Sequence, residues 1–316
     1  MNASIVSGFQ KGLQTTWTLG KVIFPVTLAV SLLQHTPLID WIIFLITPVM
    51  GIFGLPGEAA IPLVLGNLLN LYAGIGAILT MDLSVKEVFI LAVMLSFSHN
   101  LIIESTVAAK VGIKIWIILA VRLGLAFSSA FAINLIWQGG QEQAHYGLVA
   151  STGAAPEGWL AIIADAVMKA GLGIVQLAAI VIPLMILIQL MKDRGLLKVF
   201  SRWLAPFTRM LGMKENTSLT LVAGLTIGLA YGAGVMIQAV KEDGVSYRDL
   251  TLAFIFLVSC HAVVEDTLIF IPLGIPVLPL LLIRVVVAIV LTIVVGLVWK
   301  RAEHSTRREA KATYEN

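Results

Sequence analysis

A short polar stretch that occurs twice, each time inside a long apolar run, constrains this chain more than any other feature. The first copy reads Ser98-His99-Asn100-Leu101-Ile102-Ile103-Glu104-Ser105, and the second Cys260-His261-Ala262-Val263-Val264-Glu265-Asp266-Thr267. Ionisable side chains within apolar segments are costly, so they are rare and require partners. The two histidines are 162 residues apart (261 − 99), and the same offset aligns much of the chain with itself. Without gaps it pairs Trp41 with Trp203, Gly66 with Gly228, Ser84 with Ser246, Gly112-Ile113 with Gly274-Ile275, Arg122 with Arg284 and Trp137 with Trp299. Leu and Ala recur in apolar helices by chance. The matches at His, Arg and Trp, which are scarce here, therefore carry the inference of an internal repeat, a mark of many transporters.

The apolar runs set the class. Charged residues make up 12% of the chain, against about 25% in soluble domains, and the mean hydropathy is +0.97. A bilayer core needs about 20 apolar residues per helix. Segments near 16–34, 58–80, 114–138, 171–191, 217–240 and 277–299 reach that length. The expected fold is an all-α integral membrane protein. The excess of basic over acidic residues lies mostly in loops and the C-terminal tail, where it reads as membrane orientation and not as nucleic-acid binding. Cys260 is the single cysteine, so no intrachain disulfide forms. No cleavable signal pattern follows the first apolar run, which is expected to serve as its own anchor.

Lys and Arg mark cytoplasmic loops. Residues 35–40, after the first helix, contain neither, whereas the matching place in the second half holds Lys192, Arg194, Lys198 and Arg202. The stretch after Trp137 contains neither, whereas Lys300, Arg301, Arg307, Arg308 and Lys311 follow Trp299. Matched positions then face opposite sides, which makes the repeats inverted and both termini cytoplasmic. The organisation read from this is a first repeat over 1–138, an extracytoplasmic linker over 139–168, a second repeat over 169–300 and a basic cytoplasmic tail over 301–316. Inverted repeats need an odd number of crossings each. The outer long helices supply two, so 58–110 supplies one net crossing although it is long enough for two. The simplest solution makes 58–80 a crossing and 87–110 a re-entrant hairpin with its tip near Ser98-His99-Asn100. The reverse assignment satisfies the same parity. Residues 200–213, with Arg202 and Arg209, read as an interfacial amphipathic helix.

The candidate site residues follow from the repeat. His261 and Glu265 are four apart and share a helix face, as do Asn100 and Glu104. His99 and Glu104 are five apart and share a face only if the helix is broken. Broken helices at the bilayer midplane bind solutes in inverted-repeat transporters; the plainer alternative is that these groups tie helices together by hydrogen bonds. Asp266 adds a further carboxylate. Arg122 and Arg284 each sit about eight residues into a helix, where Arg must pair or snorkel. They read as ion-pair partners of Glu104, Glu265 or Asp266, or as solute contacts. Asn67 and Asn70, three apart, can line one polar stripe, for which Tyr231 and Gln238 are the second half's version. Glu58 at a helix start reads as a dipole partner or a functional group. His99, Glu104, Cys260, His261 and Glu265 include donors suited to a divalent transition metal, but their spacing matches no closed zinc site. Enzyme motifs are missing: there is no His-Glu-x-x-His, no phosphate loop and no Gly-x-Ser-x-Gly elbow. The chain is not expected to be an enzyme or to carry a cofactor.

The run Gly54-Leu55-Pro56-Gly57-Glu58-Ala59-Ala60-Ile61-Pro62-Leu63-Val64-Leu65-Gly66-Asn67 resembles the nucleoside-recognition, or Gate, domain. That domain occurs in spore maturation membrane proteins and, twice, in the membrane part of the bacterial ferrous-iron transporter. It is distantly similar to the core of concentrative nucleoside transporters. The resemblance covers nearly the whole chain as two Gate-like repeats. It implies a multi-pass protein of the bacterial inner membrane that carries a small polar, nucleoside-like solute by ion-coupled alternating access. The iron transporter's motif has a Cys-Asn-Val-Pro run where this chain reads Leu68-Leu69-Asn70-Leu71, and no GTPase domain is present. A divalent-metal permease and a non-transporting partner subunit are the other two readings. The expected partners are the lipid bilayer, the solute and a coupling ion, with homo-oligomerisation left open.

Overall fold

A computed structural model describes residues 2–33, 36–147, 158–242 and 244–314. It is helical almost throughout, and no strand occurs among the described residues. The first half runs α1 (Asn2–Leu33), α2 (Pro37–Gly51), α3 (Ala60–Leu68), α4 (Leu71–Ile78), α5 (Val85–Ser98), α6 (Leu101–Lys110) and α7 (Ile115–Ile136). The second runs α8 (Trp159–Asp193), α9 (Leu196–Met210), α10 (Ser218–Ile227), α11 (Leu229–Glu242), α12 (Tyr247–Ser259), α13 (Glu265–Leu268) and α14 (Val277–Tyr314). The order is the same twice: a long helix, a shorter one, a 3₁₀ turn, two pairs of short helices and a long helix. Helix α1 begins well before the apolar segment near 16–34, and α8 takes in the end of the stretch read as a linker. Among the described residues four helices are long and apolar enough to cross a membrane: Val85–Lys110, Ile115–Ile136, Trp159–Met191 and Val277–Ala302.

The two central segments of each half differ in how they break. Helices α3 and α4 fold back on each other. A Cβ on Gly74 would lie 2.9 Å from the Pro62 carbonyl oxygen and 3.2 Å from the Gly66 Cα, so only glycines let these backbones approach so closely. Asn70 makes the turn, its side chain accepting from the Ala73 amide at 3.0 Å. Helices α10 and α11 pair in the same way about Gly228, whose φ is +86°. Helices α5 and α6 instead continue end to end as one interrupted 26-residue span. The hairpin therefore falls on 60–78 and the interrupted span on 85–110, the reverse of the simplest solution to the parity argument.

Ser84 opens α5 with a capping box: its hydroxyl accepts from the Glu87 amide while its own amide donates to Glu87 Oε2 at 2.7 Å. Ser246 caps α12 by accepting from the Asp249 amide at 3.1 Å. A serine hydroxyl that satisfies a helix-start amide in both halves, reciprocally at Ser84, explains the serine match. In the hairpins the offset of 162 fails. Gly66 packs against the Leu95 side chain and Gly224 against that of Leu257, so Gly66 corresponds to Gly224 and not to Gly228. The offset there is 158 (224 − 66), which also relates the starts of α3 and α10.

Helix α1 packs along α8. The positions of Gly8, Gly12 and Gly20 face Ile186, Ile182 and Ile174, so one helix ascends as the other descends. Two apolar cores form, one built mainly on α3–α5 and the other on α10–α12, but each borrows from the opposite half. Ile269, Phe270, Leu273 and Leu280 complete the first core. Val107, Ala108, Ile113 and Ile118 complete the second. This exchange brings the two helix breaks face to face.

Candidate functional site

At the first break, His99 is extended (φ −56°, ψ 154°) and Asn100 is left-handed at φ 54°. At the second, Cys260 is extended and Ala262 has φ 41°. Asn100 and Ala262 are the two non-glycine residues with positive φ among the described residues, and they match at the 162 offset. A left-handed alanine costs roughly 1–2 kcal/mol, so the fold holds both breaks against local preference. The freed amides are tied to the hairpins: Asn100 N–H donates to the Gly66 carbonyl at 2.8 Å, and Ala262 N–H to that of Gly224 at 3.0 Å.

Each break turns one imidazole inward. His99 Nδ1 lies 2.7 Å from the Leu95 carbonyl oxygen and His261 Nδ1 lies 2.9 Å from that of Leu257. A carbonyl only accepts, so Nδ1 carries the hydrogen in both rings and Nε2 faces the interior. The ring centroids are 5.2 Å apart. Against them stand the matched carboxylates Glu104 and Asp266 (266 − 104 = 162). Glu104 Oε1 is 3.5 Å from His99 Nε2 and 3.3 Å from His261 Nε2, and Asp266 Oδ2 is 3.6 Å from His261 Nε2. All four side chains are buried.

Arg122 and Arg284 are fully buried at 0% exposure. Arg122 pairs with Glu104 Oε2 at 2.8 Å and donates to the carbonyls of Phe97, at 2.8 Å, and His99. Arg284 pairs with Asp266 Oδ2 at 2.8 Å and donates to the His261 carbonyl at 2.7 Å. A broken helix leaves carbonyls without amide partners; the guanidiniums fill that need and hold the carboxylates in place. That role accounts for two arginines deep in apolar helices.

A cavity of about 310 Å³ adjoins the cluster, lined by both hairpin turns (Asn70, Leu71, Tyr72; Ile227, Gly228, Leu229) and both breaks (His99, Asn100, Glu104; His261, Glu265, Asp266). Thr18 of α1 also reaches it. Glu265 does not lie on a common helix face with His261, because α13 starts only at Glu265; it accepts instead a hydrogen bond from the Tyr72 hydroxyl. Tyr72 was not singled out in the sequence, although it stands just after the Asn70 cap. The Asn100 Oδ1 atom is buried without a hydrogen-bond partner. Asn67 does not line the cavity, so the expected Asn67/Asn70 stripe is divided. Cys260 is buried but lies outside the group of donor atoms formed by His99, His261 and Asp266. The backbone of Gln238 belongs to α11, but its side chain and that of Tyr231 lie outside the described residues. Glu58 sits in the 3₁₀ turn before α3, away from the cluster, where burial and then the nearby Asp82 and Glu87 charges hold its carboxyl above the ordinary range.

The family model described as nucleoside recognition, Gate, matches residues 16–114 and 174–277, once in each half. The chain belongs to the Gate family. It is also 71% identical over 301 residues to the uncharacterized membrane protein YvoD of Bacillus subtilis (strain 168), covering 95% of this chain and 96% of that protein. No solved structure matches the chain. Membership in the Gate family and the four long apolar helices make this a membrane protein. The two matches of the Gate model each contain one hairpin and one broken helix, so each Gate unit supplies half of the lining described above.

Proposed function

We propose that this Gate-family protein is a secondary transporter of a small polar solute, with two inverted repeats and its binding site between the hairpin turns and the helix breaks. The observation that carries this reading is the largely apolar cavity with a few convergent polar groups, whose lining comes from the matched hairpin turns and helix breaks of both halves. Its volume falls within the range of about 300–1,000 Å³ typical of small-ligand sites. The antiparallel packing of α1 and α8, the first helix of each half, supports opposite insertion of the repeats. Under that reading α3–α4 and α10–α11 enter and leave on one side, while α5–α6 and the 247–273 segment cross. Irregular backbone at membrane depth is tolerated where it lines a cavity, and alternating access then rocks one element against another about a fixed site. Both termini lie on the cytoplasmic side in this arrangement, and the protein resides in the bacterial inner membrane.

A nucleoside-like solute fits the family description, and Asn70, Asn100 and Glu265 are the groups placed to hydrogen-bond it. Glu265 faces the cavity with a tyrosine for a partner instead of a guanidinium, which makes it the coupling-proton carrier of choice. The test is uptake by proteoliposomes holding this chain alone, across a panel of nucleosides, organic anions and divalent metals. The expected result is saturable, proton-driven flux of one polar class, with Glu265→Gln retaining exchange but losing proton drive. Absence of flux for every solute, from protein that remains folded and monodisperse, overturns the transporter reading in favour of a partner subunit.

A further inference from the structure

We propose that His99 Nε2, His261 Nε2, Glu104 and Asp266 form a binding site for one divalent transition-metal ion at the junction of the two halves. The inference is independent of whether the protein transports anything.

The case begins with the rings. Because each Nδ1–H is committed to a backbone carbonyl, a neutral ring presents the lone pair of Nε2 to the interior. Two such lone pairs then converge on the two carboxylates, of which Asp266 Oδ2 is held by Arg284 at 2.8 Å and Glu104 Oε2 by Arg122 at 2.8 Å, so the ring nitrogens and Glu104 Oε1 are the groups left to take up a cation. A proton on a ring would supply a donor, but the nitrogen–oxygen separations of 3.3, 3.5 and 3.6 Å exceed the usual hydrogen-bond range of about 2.7–3.2 Å. His261 Nε2, on a residue only 1% exposed, has no hydrogen-bond partner. The same separations match three of the six edges of a four-ligand tetrahedral shell. Ligands about 2.0–2.2 Å from a tetrahedral metal stand roughly 3.3–3.6 Å from one another. The donor atoms of His99, His261 and Asp266 all lie within 4.8 Å of each other.

The surroundings are those of a metal site. Metal-bound histidines characteristically donate the second ring N–H to a carbonyl or carboxylate, which fixes tautomer and orientation; Leu95 and Leu257 provide that carbonyl in each half. The carboxylates are steadied by Arg122 and Arg284. Two imidazoles with carboxylate oxygens favour Zn²⁺, Mn²⁺, Fe²⁺ or Co²⁺ over the all-oxygen sites of Ca²⁺ and Mg²⁺.

Cobalt is the probe. Purified, metal-free full-length protein in detergent is titrated with Co²⁺ alone and read by its visible ligand-field absorption. Saturation at one equivalent per chain is expected, with competition by Zn²⁺. Loss of an outer-shell partner already weakens metal sites about 10–100-fold. His261→Ala and His99→Ala should therefore each lose at least about a hundredfold in affinity. Glu104→Gln, which keeps the side chain's size, checks the cluster by a change that leaves the imidazole rings intact; it should shift the spectrum and weaken binding. Cys260→Ser should leave the spectrum unchanged. Size-exclusion elution confirms that each variant remains folded. The proposal is overturned if wild-type protein binds no stoichiometric Co²⁺, if binding survives in folded His variants, or if Cys260→Ser removes a thiolate charge-transfer band. Because the readout is binding and not flux, a negative flux result leaves this inference standing, and a negative titration leaves the transporter reading standing.

Discussion

Replacing Arg122 with Met removes one guanidinium and leaves three groups stranded. The Glu104 carboxylate loses its 2.8 Å partner, and the Phe97 and His99 carbonyls at the end of α5 lose their donors. Stripping one partner from a buried ion pair costs about 3–5 kcal/mol, because an uncompensated charge remains. Each orphaned buried carbonyl adds about 1–3 kcal/mol. The sum, about 5–11 kcal/mol, is comparable to a typical total stability of about 5–15 kcal/mol, so Arg122→Met should leave little folded protein. The second change, Glu104→Gln, removes the stranded charge but not the stranded carbonyls. The double variant should recover about 3–5 kcal/mol and remain about 2–6 kcal/mol below wild type. The assay is monodisperse yield by size exclusion, then unfolding in detergent followed by tryptophan fluorescence where folded protein survives. The reasoning is refuted if Arg122→Met lies within about 1 kcal/mol of wild type, or if the double variant is no more stable than the single.

Gly74→Ala should destabilise by about 1–3 kcal/mol through overpacking, since its new methyl meets backbone of α3, whereas Gly124→Ala meets nothing within 4 Å and should be neutral or better; melting temperatures of the pair decide. Glu58 has a raised native carboxyl, so the folded state binds that proton more tightly than the unfolded chain and stability falls as pH rises through the ordinary glutamate range. Glu58→Gln should therefore raise the melting temperature at about pH 7.5, with the gain vanishing near pH 4; an equal shift at both pH values contradicts this. In a Cys260→Ser background, a cysteine at Gln141 should react with an impermeant thiol reagent on intact cells, and reaction only after permeabilisation would sink the inverted arrangement.

Much of the site was legible because scarce residues repeat at one spacing. His99/His261, Arg122/Arg284 and the capping serines all occupy equivalent structural positions. The same arithmetic pairs Glu104 with Asp266, but the i,i+4 rule favoured Glu265, and that rule presumes a continuous helix where the chain has none. The hairpin assignment was not legible. Segments 58–80 and 87–110 are both apolar nearly all round, and hydropathy measures length, not direction. The deciding contacts are glycine against glycine across 60–78, which no periodicity reveals. The four-residue slip was hidden for a similar reason: in stretches rich in Gly, Leu and Ala, Gly66 aligns with Gly228 as readily as with Gly224. Only packing on Leu95 and Leu257 separates the two. Tyr72 escaped notice because its partner lies 193 residues away.

Each half brings one ring, one carboxylate and one guanidinium to a shared centre. Two identical chains would have to accept every substitution on both sides at once, whereas a single polypeptide is free to let its halves diverge. This chain has used that freedom. Glu104, the longer acid, reaches both rings, while Asp266 reaches His261. Asn100 answers Ala262, Ser98 answers Cys260, and α11 outlasts α4 by six residues (14 − 8). A centre built from unequal halves has a front and a back, and so a group that enters it meets a different set of atoms on the Glu104 side than on the Asp266 side.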